Sequence, residues 1–125
     1  MTEKTATYTE KIQDVIDGAD VALFMKGTPE AIMCGNSERA LGALRRAGAP
    51  ITAVDVLSDM QIREDLSAIS GWPTIPQVFV KGELVGGADI VEDLERSGEL
   101  EQTLVARLGE NYWDARGESV VTLSE

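Results

Sequence analysis

The chain of 125 residues contains no histidine and a single cysteine, Cys34. Without an imidazole there can be no Ser-His-Asp or Cys-His nucleophile pair and no histidine-ligated zinc site. Without a second thiol, Cys34 has no partner for an intramolecular disulfide. Any redox or metal chemistry at Cys34 therefore needs a thiol or a ligand from outside this chain.

Long apolar runs and basic clusters are also missing. No apolar run approaches the ~20 residues of a membrane helix, and residues 1–10 show no signal-peptide pattern. Together with the single unpaired cysteine, this predicts a cytoplasmic location and no membrane partner. Because 22 acidic residues face 11 basic ones, for a net charge of −11, we expect no nucleic-acid partner either. Adaptation to high salt and an ordinary acidic cytosolic protein both agree with this composition.

The hydrophobic pattern predicts one domain with the element order α-β-α-β-α-β-β-α. This order indicates an α/β fold whose four-stranded mixed sheet carries helices on both faces. Residues 1–8 are expected to be an N-terminal tail, 9–109 the domain, and 110–125 an acidic C-terminal tail outside the core. In that last segment, packing or disorder of Tyr112 and Trp113 is favoured over a role in partner binding. The predicted helices are 9–18, 35–47, a helix capped by Ser58 and ended by Gly71, and 88–109 with a break at Ser97-Gly98; the predicted strands are 21–25, 51–56, 77–80 and 83–86.

Cys34 lies between a Gly/Pro-containing loop, residues 26–33, and the predicted helix that starts at Gly35. A thiol at a helix N-terminus is exposed to the positive end of the helix dipole and to free N–H groups, which favour the thiolate. A thiolate is both a nucleophile and a metal ligand. Cys34 is therefore the candidate catalytic residue and the candidate metal ligand.

Three separated segments together resemble the monothiol glutaredoxin family. Lys26-Gly27-Thr28-Pro29 followed by Cys34-Gly35-Asn36-Ser37 resembles that family's active loop, which usually reads Cys-Gly-Phe-Ser. The segments 72–77 (Trp-Pro-Thr-Ile-Pro-Gln) and 86–91 (Gly-Gly-Ala-Asp-Ile-Val) match two further signatures in the same order and spacing. The resemblance covers about residues 9–108 and implies a thioredoxin-like fold, which agrees with the predicted element order.

Two residues of the active loop depart from the family pattern. Ile32 stands where proline is common, which removes only some rigidity from the loop. Asn36 stands where phenylalanine is usual. An amide shields the neighbouring sulfur from water less well than an aromatic ring does. The stability of the iron–sulfur cluster that the family resemblance implies, or the redox selectivity of the thiol, is therefore expected to differ from the family norm.

The resemblance also implies what completes the site. A [2Fe–2S] cluster with four thiolate ligands needs three more than this chain supplies. The family arrangement is a homodimer bridged by the cluster, with two bound glutathiones or similar γ-glutamyl thiols, that passes the cluster to acceptor apo-proteins. A BolA-like protein is a further partner that the family resemblance suggests.

The small thiol is expected to bind around three groups of residues. Lys26 and Arg63 are cations suited to the glycine carboxylate of glutathione. Ile75-Pro76 resembles the family's cis-proline turn, which would pair the Ile75 backbone with the ligand's peptide. Gly87 and Ala88 offer free N–H groups to a carboxylate, and Asp89 is suited to the ligand's ammonium group or to a helix N-cap. Trp72 and Thr74 are expected to shape the turn and the core, and Ser37 to cap the helix or to donate weakly to the sulfur.

Three functions stay open at this stage. The first is binding and transfer of a [2Fe–2S] cluster with a small thiol. The second is an enzymatic role as a glutathione-dependent thiol-disulfide oxidoreductase that uses Cys34 alone, because Ser37 stands where a dithiol enzyme has its second cysteine. The third, which only the family resemblance suggests, is a regulatory binding module that shares a cluster with a BolA-like partner.

Overall fold

The fold is built around a five-stranded mixed sheet with the order β6-β5-β1-β4-β7 in a computed structural model that describes residues 8–124. β1 runs parallel to β4, and β4 runs parallel to β7, while β5 is antiparallel to both β1 and β6. The bounds of these strands are β1 Val21–Met25, β4 Pro50–Asp55, β5 Gln77–Val80, β6 Glu83–Gly86 and β7 Gly117–Val121. A separate short hairpin pairs β2, Gly27–Thr28, with β3, Ala31–Ile32.

Helices cover both faces of the sheet, which confirms the predicted α/β, thioredoxin-like class. The helices are α1 Thr9–Gly18, α2 Gly35–Arg46, α3 Met60–Ser70, α4 Ala88–Ser97 and α5 Glu99–Leu108. One core cluster joins α2, α4 and α5 to the sheet, and the other joins α1 and α3 to its opposite face. β1 contributes Val21, Leu23 and Met25 to the first cluster and Ala22 and Phe24 to the second, so its continuous apolar run is buried on both sides.

The element boundaries follow local chemistry, with one correction. The two-residue turn at Lys81-Gly82, both with positive φ, closes the predicted hairpin of β5 and β6. Gly98, at φ 86°, separates α4 from α5 as predicted. The predicted cap of α3 at Ser58 is wrong: Asp59 is the N-cap, and its side chain accepts from the Gln61 N–H. A carboxylate one residue later provides the same acceptor with a full negative charge at the helix N-terminus.

The segment after residue 109 packs against the domain, and it supplies the fifth strand that the four-strand prediction lacks. Tyr112 is 8% exposed and donates a 2.8 Å hydrogen bond from its hydroxyl to the Ala47 carbonyl. The Trp113 ring lies so close to Gly48 that a Cβ there would come within 1.9 Å of it. β7 then pairs with β4 from Pro50 to Val54. The expectation that this segment lies outside the core was therefore wrong, because pairing to a distant strand organises it.

At the other end, Tyr8 is also anchored, although it was placed in the N-terminal tail. Its backbone N–H donates to Asp65 and its hydroxyl to Asp59. The remainder of that predicted tail, residues 1–7, lies outside the described residues. Within residues 8–124, no helix is both long and apolar enough to cross a bilayer.

Candidate functional site

Cys34 is the N-cap residue of α2, with extended backbone (φ −157°, ψ 133°) and a half-buried side chain. The sulfur makes no regular capping hydrogen bond, but the pKa of the thiol is lowered from its ordinary value. The largest cause is the backbone N–H of Ser37, followed among the favourable contributions by the N–H of Asn36, the charge of Lys26 and the Ser37 hydroxyl, while burial acts in the opposite direction. The helix N-terminus therefore favours the thiolate, as the sequence predicts.

Three hydrogen bonds hold the loop before Cys34 in place. The Lys26 N–H donates to the Ser37 hydroxyl at 3.0 Å, and the Gly27 N–H donates to Asp55 Oδ1 at 2.9 Å. The Met33 N–H donates to the Lys26 carbonyl at 3.0 Å, which closes the loop above the β2–β3 hairpin. Lys26 is thus held close enough to Cys34 for its charge to act on the thiol.

A groove of about 310 Å³, here called the first groove, is lined in part by Asn36, two residues after Cys34. It contains five of the predicted binding residues, and the Ile75-Pro76 peptide bond in it is cis, as the family resemblance implies. Gly87 is the N-cap of α4, so Asp89 lies in the first turn of that helix and is not its cap. The alternative of Asp89 as N-cap is therefore wrong. The lining residues are Asn36, Arg39, Trp72, Thr74, Ile75, Pro76, Gly87, Ala88, Asp89 and Ile90.

Trp72 and Thr74 were expected to shape the turn and the core, and they do belong to the turn, but Thr74 is exposed, Trp72 is half-buried, neither is part of a core cluster, and both line this groove. The Gln77 side-chain amide donates to the carbonyls of Trp72 and Thr74, at 2.9 and 3.1 Å, and so fixes the turn from below. Among the residues described, the buried Nε1 of Trp72 and Oε1 of Gln77 have no hydrogen-bond partner. The two hydrogen bonds from Gln77 therefore hold the backbone of residues 72–74 in place.

Arg39 is the residue of the first groove that the sequence analysis missed. Its guanidinium donates to Asn36 Oδ1 at 3.1 Å, to Asp89 Oδ1 at 2.7 Å and to Glu92 Oε1 at 2.7 Å. These contacts raise the pKa of Arg39 above its ordinary value, with Glu92 the larger cause, and lower the pKa of Glu92. The only sequence signal was its position three residues after Asn36 on the predicted helix. The acidic partners are 50 or more residues away.

A second groove, of about 460 Å³, is lined by both Lys26 and Arg63, the two cations expected to bind the glycine carboxylate. Its walls are largely apolar, and Met60 at its edge is 80% exposed. Within residues 8–124, neither Lys26 nor Arg63 forms an ion pair. The lining residues are Lys26, Val56, Leu57, Met60, Arg63, Glu64, Ser67 and Pro73.

Cys34 is not itself a lining residue of either groove, but one lining residue of each groove acts on its sulfur. The N–H of Asn36, which lines the first groove, and the charge of Lys26, which lines the second, both act on its sulfur. No group of three or more His, Cys, Asp or Glu side chains within the described part of the chain is arranged to hold a metal. The arrangement can present one thiolate to a ligand that lies along both grooves, or to an electrophilic sulfur or a metal brought in with such a ligand.

Comparison with known proteins agrees with this geometry. The protein-family model described as Glutaredoxin matches residues 21–85. A protein of Rickettsia felis named Probable monothiol glutaredoxin 2 is 46% identical over 95 residues, which cover 76% of this chain and 91% of that protein. Monothiol glutaredoxin-S11 of Oryza sativa is 47% identical over 108 residues, or 83% of this chain, but the match spans only 22% of that longer protein.

Solved structures give the same result at the level of the fold. A monomeric truncated mutant of Trypanosoma brucei 1-C-Grx1 superposes with a TM-score of 0.72 and 40% identity, covering 84% of this chain and 93% of that one. Reduced poplar apo GrxS14 superposes with a TM-score of 0.70 and 34% identity, covering 79% and 91% of the two chains. With its single active-loop thiol and these relatives, the chain belongs to the monothiol glutaredoxin family.

Proposed function

We propose that this chain binds a [2Fe–2S] cluster together with glutathione or a similar γ-glutamyl thiol, and that it stores the cluster or transfers it to acceptor apo-proteins. The observation that carries this proposal is Cys34, a lone thiol of lowered pKa on whose sulfur a lining residue of each groove acts. One groove offers N–H groups, and the other offers two cations without ion-pair partners among residues 8–124.

The residues present fit such a cluster. Cys34 is a half-buried residue, and its thiolate is the form that iron binds. Because the chain has no other cysteine and no histidine, the remaining ligands must come from outside it. A second copy of the chain and two small thiols supply three thiolates, which completes the set of four in a cluster-bridged homodimer.

The two grooves divide the small thiol between them in this proposal. Lys26 and Arg63 of the second groove bind the glycine carboxylate, and the Ile75 backbone pairs with the ligand's peptide. In the first groove, the N–H groups of Gly87 and Ala88 bind the γ-glutamyl carboxylate, and Asp89 binds its ammonium group. The ligand's sulfur then lies beside Cys34, where both can bind one cluster.

The decisive experiment is anaerobic reconstitution with iron, sulfide and glutathione, followed by gel filtration and visible absorption. We expect a coloured dimer from the wild-type protein and from Met33→Leu, and a colourless monomer from Cys34→Ser. Met33→Leu is the matched control because Met33 is the adjacent, exposed sulfur-containing residue. A wild-type protein that stays colourless and monomeric would exclude the cluster function. Colour that forms only with an added BolA-like protein would instead favour a shared cluster between two different chains.

The second candidate function is enzymatic, and the same lowered pKa of Cys34 favours it. The Cys34 thiolate attacks the glutathione sulfur of a mixed disulfide, the substrate leaves as its thiol, and Cys34 becomes glutathionylated. A second glutathione thiolate then attacks the glutathione sulfur on Cys34, which releases glutathione disulfide and regenerates the thiolate. Rapid glutathione-dependent turnover of a glutathionylated substrate, absent in Cys34→Ser, identifies this role.

A further inference from the structure

Arg39 connects α2 to α4 across the first groove. Besides its bonds to Asn36 Oδ1 and Asp89 Oδ1, it donates to Glu92 Oε1 from both Nε, at 3.0 Å, and Nη2, at 2.7 Å. Glu92 is mostly buried and therefore provides the fixed end of this network, with a side chain that is 16% exposed. Asn36 and Asp89, in contrast, are exposed side chains whose direction nothing but this network restricts among the contacts seen in residues 8–124.

The contacts leave binding groups available on both exposed side chains. Arg39 bonds to Oδ1 of Asp89, so Oδ2 can still accept a hydrogen bond from an ammonium group. Arg39 also bonds to the oxygen of the Asn36 amide, which leaves the amide NH₂ as a donor. An acceptor and a donor are thus held on the two sides of the groove, near the N-terminus of α4.

We propose that Arg39 is a positioning residue that holds Asp89 and Asn36 in the orientation that recognises the γ-glutamyl end of the small thiol. This inference rests on the proposed function, because it assigns that ligand to the first groove. Asn36 is then a specificity residue at a position where the related active loops usually carry phenylalanine.

Arg39 affects binding of the γ-glutamyl end by orienting Asp89 and Asn36, and not by its own charge. The γ-glutamyl end carries one carboxylate and one ammonium group, so loss of the Arg39 charge weakens the attraction for one and strengthens it for the other. These two changes oppose each other, and solvent screens them at this exposed site. The ordering of Asp89 and Asn36 before binding is not offset in this way.

The test measures binding of S-methylglutathione, which cannot ligate iron or form a disulfide, by NMR titration. S-methylcysteinylglycine, which lacks the γ-glutamyl group, is titrated in parallel. We expect Arg39→Met to bind S-methylglutathione about tenfold more weakly than wild type, with binding of the shorter compound unchanged. Arg39→Lys keeps the charge but lacks the planar fork, so we expect it to recover only part of the loss.

Arg96→Met is the matched control. Arg96 also contacts Glu92, at 3.4 Å, but lies outside the first groove. We expect this variant to bind both compounds like wild type. The pH dependence of Cys34 alkylation should also be unchanged in Arg39→Met, because Arg39 is not among the groups that shift the pKa of that thiol.

The outcomes separate the two proposals. If Arg39→Met binds S-methylglutathione as tightly as wild type, or if Arg39→Lys restores binding completely, the positioning role is overturned and the proposed function stands. If both compounds lose affinity equally, the effect is not specific to the γ-glutamyl end and the inference is again overturned. If the wild-type protein does not bind S-methylglutathione, the small-thiol function itself fails, and the inference fails with it.

Discussion

The two grooves near Cys34 differ in whether their cationic side chains form ion pairs. In the first groove, Arg39 is paired with Asp89 and Glu92, and the neighbouring turn is fixed by Gln77. In the second, Lys26 and Arg63 have no ion-pair partner within residues 8–124, and the walls are largely apolar, with Glu64 and Ser67 among the lining residues. The first groove is therefore organised before a ligand arrives, whereas the second offers positive charge that a carboxylate can neutralise. The first groove thus provides a fixed arrangement of binding groups, and the second provides electrostatic attraction for a carboxylate.

The largest expected effect tests the rigidity of the first groove through two adjacent glycines. Gly86 has φ +149°, and a Cβ there would lie 2.8–3.0 Å from three side-chain atoms of Ile90. We expect Gly86→Ala to lower the free energy of unfolding by about 2–3 kcal/mol, because both the backbone and the Ile90 packing must change. Gly87 has no such conformation, and its Cβ would come no closer than 3.3 Å, to the Pro76 carbonyl. Gly87→Ala should therefore cost less than about 1 kcal/mol in urea unfolding. Equal costs would show that the groove adapts and is not rigid.

The next effect tests attraction in the second groove. We expect Lys26→Met combined with Arg63→Met to weaken binding of S-methylglutathione about thirtyfold, because two charge-assisted hydrogen bonds to the glycine carboxylate are lost at a partly exposed site. The glycine amide of S-methylglutathione, in which that carboxylate is an uncharged amide, should bind wild type and variant equally. Isothermal titration calorimetry with both ligands measures the difference. An equal loss for both would contradict the division of the ligand between the grooves.

A smaller effect tests how the second groove holds Lys26. Asp55 Oδ1 accepts from the N–H groups of Gly27 and Leu57, at 2.9 and 2.8 Å, and so ties the active loop to the end of β4. We expect Asp55→Ala to cost about 1–2 kcal/mol in unfolding free energy and to weaken binding of S-methylglutathione. Ser58→Ala, which removes one exposed hydrogen bond to the Asp55 carbonyl, is the control and should change unfolding by under about 0.5 kcal/mol. Unchanged affinity in Asp55→Ala would show that Lys26 needs no anchoring.

The smallest effect concerns pH. The pKa of Cys34 is below that of an ordinary thiol, first because of the Ser37 N–H and then, among other contributions, because of Lys26. We expect the pH dependence of alkylation by iodoacetamide to shift upward in Lys26→Met and to stay unchanged in Arg63→Met, since Arg63 does not act on the sulfur. Because the folded state lowers this pKa, its contribution to stability is present above the ordinary thiol pKa and is lost as the pH falls through the lowered value. A profile that Lys26→Met leaves in place would contradict the contribution of Lys26.

How much of this site could be predicted depends on how local its signals are. The strand Val21–Met25, the Lys81-Gly82 turn and the helix after Cys34 each carry their own signal in a few neighbouring residues. Apart from its spacing from Asn36, Arg39 shows nothing of its role in the sequence, because its carboxylate partners lie on α4 and come near only when the domain folds. Strand β7 begins with Gly-Glu-Ser and is mostly exposed, so its sequence has little intrinsic preference for a strand. It forms because it pairs with β4.

The parallel direction of β7 has a consequence for how this domain can be connected. β1, β4 and β7 all run in the same direction. The residues after Val121 therefore follow the carboxyl end of β7, at the end of the sheet where β1 leads into the thiol loop and β4 ends at Asp55. A protein joined by a short linker after this strand would begin at the same end of the sheet as the thiol loop, although Leu123 packs on the face opposite α2. Its effective concentration at the thiol would be high without any dedicated docking contact. The direction of the added strand would thus bring a protein linked after it close to the thiol loop.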